Sequence, residues 1–77
     1  MPLPFVLLCI KYTTSMRSRE VIKRIEADGW HVVRQTGSHR HFRHQTKPGT
    51  VTVPHPKAEI PLGTLRSIER QSGVSLR

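Results

Sequence analysis

The chain has 77 residues, enough for one small domain, and at this size only ~60% of the unfolded surface is buried, which excludes a separate cofactor domain or a deep enclosed pocket. Lys and Arg number 13 against 5 Asp and Glu, a formal net charge of +8, which favours a polyanionic partner such as nucleic acid or an acidic protein. The single cysteine, Cys9, excludes an internal disulfide and makes a reducing cytoplasm the expected compartment, and no run reaches the ~20 apolar residues of a membrane helix.

In chain order, Leu3, Phe5, Val6, Leu7, Leu8, Cys9 and Ile10 form an apolar run with no basic segment before it and no clear small-residue cleavage site after it, which argues against a signal peptide. Residues 1–15 read as an extension, or an upstream-start artefact, on a domain that spans 16–77; a short extra strand or a partner contact is the competing reading. The first helix is expected from Ser18 to Ala27. Ser18 is its N-cap, Glu20 suits the positive end of the helix dipole, and Val21, Ile22 and Ile25 make one apolar stripe. Asp28-Gly29 ends it, with Gly29 suited to a left-handed cap.

Trp30 to Gln35 reads as a strand with β-branched Val32 and Val33, Thr36-Gly37-Ser38 as a hairpin turn, and His39 to His44 as the second strand. Pro48-Gly49 marks a loop, and Val51-Thr52-Val53 a short third strand stopped by Pro54. A second helix follows from about Pro61 to Ser72, with Leu62, Leu65 and Ile68 on its apolar side and Gly73 at its end. The order is α-β-β-β-α, an α+β fold in which a three-stranded antiparallel sheet carries both helices on one face and leaves the other wet. Alternation puts Phe42 toward the helices and His39, His41 and Arg43 on the open face; Arg40 shares the parity of Phe42 and reaches phosphate only by curling out at the strand end.

Chemistry concentrates in Gly37-Ser38-His39-Arg40-His41-Phe42-Arg43-His44. Between Asp28 and Glu59 there is no acidic residue, while Arg34, Arg40, Arg43, Lys47, Lys57 and all five histidines fall in that interval. A solvated basic face is the bland alternative. A neutral imidazole accepts and donates protons near neutral pH. RNA brings its own nucleophile, the 2′-hydroxyl, so one histidine with a few cations suffices to cut it without a metal or cofactor, the cations countering charge on the phosphoryl oxygens. Gly37 and Ser38 let backbone N–H groups approach phosphate. Zinc on His39, His41 and His44 is disfavoured: His44 points to the other face, no Cys or carboxylate completes a tetrahedron, and arginines flank the set. His31 and His44 read as ordinary strand positions, Trp30 as core, and His55 as either an edge of the site or a loop-packing residue.

From Met16 the chain resembles the HicA toxin family of bacterial toxin–antitoxin systems, the YcfA-like mRNA interferases. The matching residues are Ser18-x-Glu20-Val21-Ile22, Asp28-Gly29-Trp30, Gly37-Ser38-His39 with Phe42 and His44, Val51-Thr52-Val53-Pro54-His55-Pro56, Gly63-Thr64-Leu65 with Ile68, and Gly73-Val74. The combination is specific where no single motif is. The resemblance implies a fold similar to the double-stranded-RNA-binding domain, a cytoplasmic ribosome-independent endoribonuclease that cleaves mRNA, and a HicB-like antitoxin that binds the toxin in a hetero-oligomer and covers its active site. The family's catalytic histidine maps onto His39 and its motif glycine onto Gly37; Ser38, Arg40, His41, Arg43 and Lys57 are the expected substrate-binding residues. Residues 1–15 have no counterpart in the family. The alternative is a non-catalytic RNA-binding module on the same face.

Overall fold

A computed structural model describes residues 15–76. Its elements are β1 (Ser15–Met16), α1 (Ser18–Ala27), β2 (His31–Thr36), β3 (His39–Arg43), β4 (Val51–Pro54), β5 (Ile60–Pro61) and α2 (Leu62–Ser72). β2, β3 and β4 form an antiparallel sheet in that order. The α+β reading holds, and both helices cover the face that bears Phe42, Val51 and Val53, each fully buried. The expected extension over 1–15 lies outside the described residues apart from Ser15.

That residue opens a short strand of the kind held as the competing reading for 1–15, and its partner was not expected: in a second sheet Ser15 pairs with Pro61 and Met16 with Ile60. Two-residue strands carry no periodicity, so only the meeting of segments far apart in the chain reveals them. The pairing buries Ile60 fully and lays Met16 against the core.

α1 has the expected bounds and buries Val21, Ile22 and Ile25. Its N-cap is Arg17, with extended backbone and no side-chain cap bond, so Ser18 is not the cap. The Ser18 side chain is committed elsewhere. Its amide donates to the Lys57 carbonyl at 2.9 Å, and its Oγ accepts the Lys57 amide at 3.0 Å. The loop at 55–57 thus satisfies a helix-terminal N–H that a cap would otherwise leave to water.

At the other end Gly29 has φ +109, and a Cβ there would sit 2.7 Å from the His44 Nε2. His44 follows the strand and ties the junction together. Its Nδ1 accepts the amides of Thr46 (3.1 Å) and Lys47 (3.2 Å), so its Nε2 carries the proton and donates to the Asp28 carbonyl at 2.7 Å. Trp30, 1% exposed, meets the same ring edge-on at 5.2 Å and donates from Nε1 to the Ser72 carbonyl at 3.2 Å. α2 ends as expected at Gly73, with φ +72. Pro61 is the residue before its first turn rather than within it, and Leu62 is only half buried.

Lys47 Nζ donates to Asp28 Oδ2 at 2.6 Å and to the Ser72 carbonyl at 3.2 Å. The ammonium hydrogen bond, more than any other influence, holds the Asp28 carboxyl below its ordinary value of 3.8. A depressed carboxyl contributes stability above its unfolded value and loses it as pH falls through the folded one. The thermal-midpoint advantage of wild type over Lys47→Met should therefore be constant near neutral pH and shrink below about pH 3.8. A gap that stays constant to pH ~2 would show that the pair contributes nothing.

Candidate active site

Gly37 and Ser38 make a two-residue turn, with Thr36 registered against His39. Gly37 takes φ +58, and a Cβ on it would meet nothing within 4 Å. The glycine is thus required here by backbone conformation and not by crowding. Gly37→Ala should cost about 1 kcal/mol and lower the thermal midpoint by roughly 4–8 °C while the protein still folds. A midpoint equal to wild type would show that the turn relaxes around a side chain. Ser38 offers its carbonyl to the His55 amide at 2.7 Å, binding the turn to the loop after β4.

His39 opens β3, opposite Pro54 on one side and Thr36 on the other. Its side chain is exposed and makes no hydrogen bond among the described residues. His41 is half-buried on the same face, where its Nδ1 lies 3.2 Å from the Oγ1 of its cross-strand partner Thr52. Arg43 is exposed and pairs with His31. Directly opposed residues share a face, so the register supports the open face expected from alternation.

The register also adds a residue that alternation misses. β2 carries an irregularity between Val32 and Arg34: Val32 pairs with Phe42, but Arg34 pairs with His41. Val33 is the extra residue of a β-bulge, which shifts the parity of the strand residues beyond it. His31 and Arg34, three apart, therefore both lie on the open face, and Arg34 joins His39, His41 and Arg43. No sequence signal marks the bulge; Val32 and Val33 beside it are 46% and 50% exposed.

Arg40 and Lys57 stand apart from this face. Arg40 is on the α1 side, where its Nε donates to Gln35 Oε1 at 3.0 Å. There it lines a groove of about 590 Å³ with Arg19, Ile22, Lys23, Glu26 and His55. An adjoining cavity of about 230 Å³ shares Arg19 and His55 and is lined also by Arg17, Ser18 and Lys57. The proposed substrate-binding residues thus divide between two faces that meet at the turn. His55, left between two readings by the sequence, is half-buried with its Nδ1 2.9 Å from Ser18 Oγ.

The histidines of the dense segment do not converge. His44 is bound to Asp28 and the 46–47 amides, His41 to Thr52, and His39 to nothing among the described residues. No group of three or more His, Cys, Asp or Glu side chains among the described residues is placed to share a metal ion. Nor is any helix among them long and apolar enough to cross a membrane.

What the open face offers chemically is two exposed imidazoles, His39 at the turn end and His31 at the far end, beside guanidinium groups. A family model described as HicA toxin of bacterial toxin-antitoxin matches residues 18–74, which takes in both helices, the three-stranded sheet and the Gly37-Ser38-His39 turn. Comparison with curated proteins gives no match.

Proposed function

This chain belongs to the HicA toxin family of bacterial toxin–antitoxin systems, and we propose that it acts there as a metal-independent endoribonuclease that cuts mRNA. His39 is the general base. It removes the 2′-hydroxyl proton, O2′ attacks the adjacent phosphorus, and the bond to O5′ breaks as that oxygen takes up a proton. The products carry a 2′,3′-cyclic phosphate and a 5′-hydroxyl. Arg43 and His41 on the same face bind backbone phosphate and counter the charge that builds on its oxygens. Gly37 and Ser38 shape the turn that lets the strand approach, and Arg40 and Lys57 hold phosphates beyond the turn. The domain is 16–77, it works in the cytoplasm, and a HicB-like antitoxin silences it by covering the His39 face in a hetero-oligomer.

The observation that carries this reading is the state of His39: exposed, with no hydrogen bond that a structural role would require, next to the Gly37-Ser38 turn and on a face that also bears His31, Arg34, His41 and Arg43. The test is incubation of purified protein with mRNA in EDTA, without ribosomes. Fragments with cyclic phosphate ends are the expected result. The same freedom of the His39 ring favours a second reading, an RNA-binding module that does not cut, because nothing in the free protein holds the ring for proton transfer. RNA bound but intact after hours would select it.

A further inference from the structure

The groove beside α1 is lined by His55, which lies off the open face. Ser18 is 2% exposed, and its Oγ already accepts the Lys57 amide. Among the described residues the hydroxyl proton has one acceptor, His55 Nδ1, at 2.9 Å. The serine therefore donates to Nδ1, and the neutral His55 ring carries its own proton on Nε2. With Nδ1 taken up by Ser18, Nε2 is the ring's remaining polar atom, and His55 lines both cavities. A buried serine thus fixes the tautomer of a histidine that lines a groove whose charged residues are Arg19, Lys23 and Arg40 against one carboxylate, Glu26.

We infer that this groove is a binding site for a backbone phosphate of single-stranded RNA, in which His55 Nε2, Arg19, Lys23 and Arg40 contact the phosphate oxygens and Ser18 is the positioning residue. The inference rests on the reading that the substrate is RNA. Arg19 and Lys23, one helical turn apart, project from the same side of α1. Arg40 reaches them from β3 with its guanidinium steadied by Gln35. Ile22, 7% exposed, gives the groove an apolar wall against which a sugar or base can lie. The site is coupled to the His39 face through backbone. His55 follows Pro54, the registered partner of His39, and its amide bonds to the carbonyl of Ser38. A strand crossing the turn end of the sheet passes from the groove to His39, so the groove sets which phosphodiester comes to the base.

The experiment uses a 2′-O-methyl oligoribonucleotide, which cannot be cut, and reads its affinity across a salt series by fluorescence anisotropy. Each lost phosphate contact to a single strand should lower the slope of log affinity on log salt by about 0.7. Arg19→Gln/Lys23→Gln should lower it by roughly 1.4 with an unchanged thermal midpoint, because both side chains are exposed. Titration of the oligonucleotide into wild type should also move the His55 Nε2 resonance in a nitrogen-15 spectrum, and Ser18→Ala should abolish the single-tautomer pattern before any ligand is added. A slope equal to wild type in the double variant overturns the inference, whether RNA then follows the open face alone or the groove proves to hold an acidic segment of the antitoxin. The outcome is separable from that of the cleavage reading: groove-dependent binding without any cutting of unmodified RNA upholds the site and removes the nuclease, whereas cutting with an unchanged slope does the reverse.

Discussion

His39→Ala is expected to lower RNA cleavage by about 10²–10⁴-fold, the contribution of a positioned proton-transfer group, and to abolish growth arrest on induction. The structure makes this a clean substitution. The His39 side chain is exposed and bonds to nothing among the described residues, so its removal should leave the thermal midpoint unchanged. His44→Ala is the informative contrast. It removes the ring that accepts the Thr46 and Lys47 amides and bonds to the Asp28 carbonyl, so it should lose activity only as far as it loses folded protein. His41→Ala lies between them, since it breaks a cross-strand contact with Thr52 as well as thinning the cationic face. Equal growth arrest by wild type and His39→Ala would end the role assigned to His39.

Trp30→Ala should have the largest effect on stability. Trp30 is among the largest fully buried side chains and stands where α1 hands over to the sheet. Truncating a buried tryptophan costs about 3–5 kcal/mol. It would also withdraw the Nε1 donor from the Ser72 carbonyl and the aromatic partner from His44. Total stability is on the order of 0.05–0.15 kcal/mol per residue, so in a domain this small the loss rivals the whole margin. The expected result is no cooperative thermal transition near room temperature. Trp30→Phe keeps most of the ring, and Lys47 still donates to Ser72, so its cost should be nearer ~1–3 kcal/mol. A fall in midpoint of less than about 10 °C for Trp30→Ala would show that the junction repacks around the loss.

The parts of the molecule legible in the sequence are those written in local pattern. The stripe Val21, Ile22 and Ile25 placed α1, Gly73 placed the end of α2, and alternation about Phe42 assigned the faces of β3. The parts that were not legible depend on residues distant in the chain. Ser18 has the chemistry of an N-cap, yet it is the first residue within the helix and its hydroxyl bonds across to His55 and Lys57. Propensity describes what a side chain does for its own helix when no better partner arrives. His44 likewise looks like a strand residue and acts as a staple for the Gly29 turn, a role visible only once Gly29 and His44 are brought together.

By itself the sequence determined the α+β class, the order of the main elements, the family, and the segment in which to look for chemistry, because hydrophobic period, turn residues and charge are properties of neighbours along the chain. Only the tertiary structure decided how that chemistry is divided. The bulge at Val33 brings Arg34 onto the face of His39, and the cross-strand bond to Gln35 holds Arg40 on the opposite side. The bond from Ser18 ties to α1 a histidine that lines a groove α1 and β3 form together. Register and long-range hydrogen bonds set these positions, and neither leaves a periodic trace in the residues that obey them.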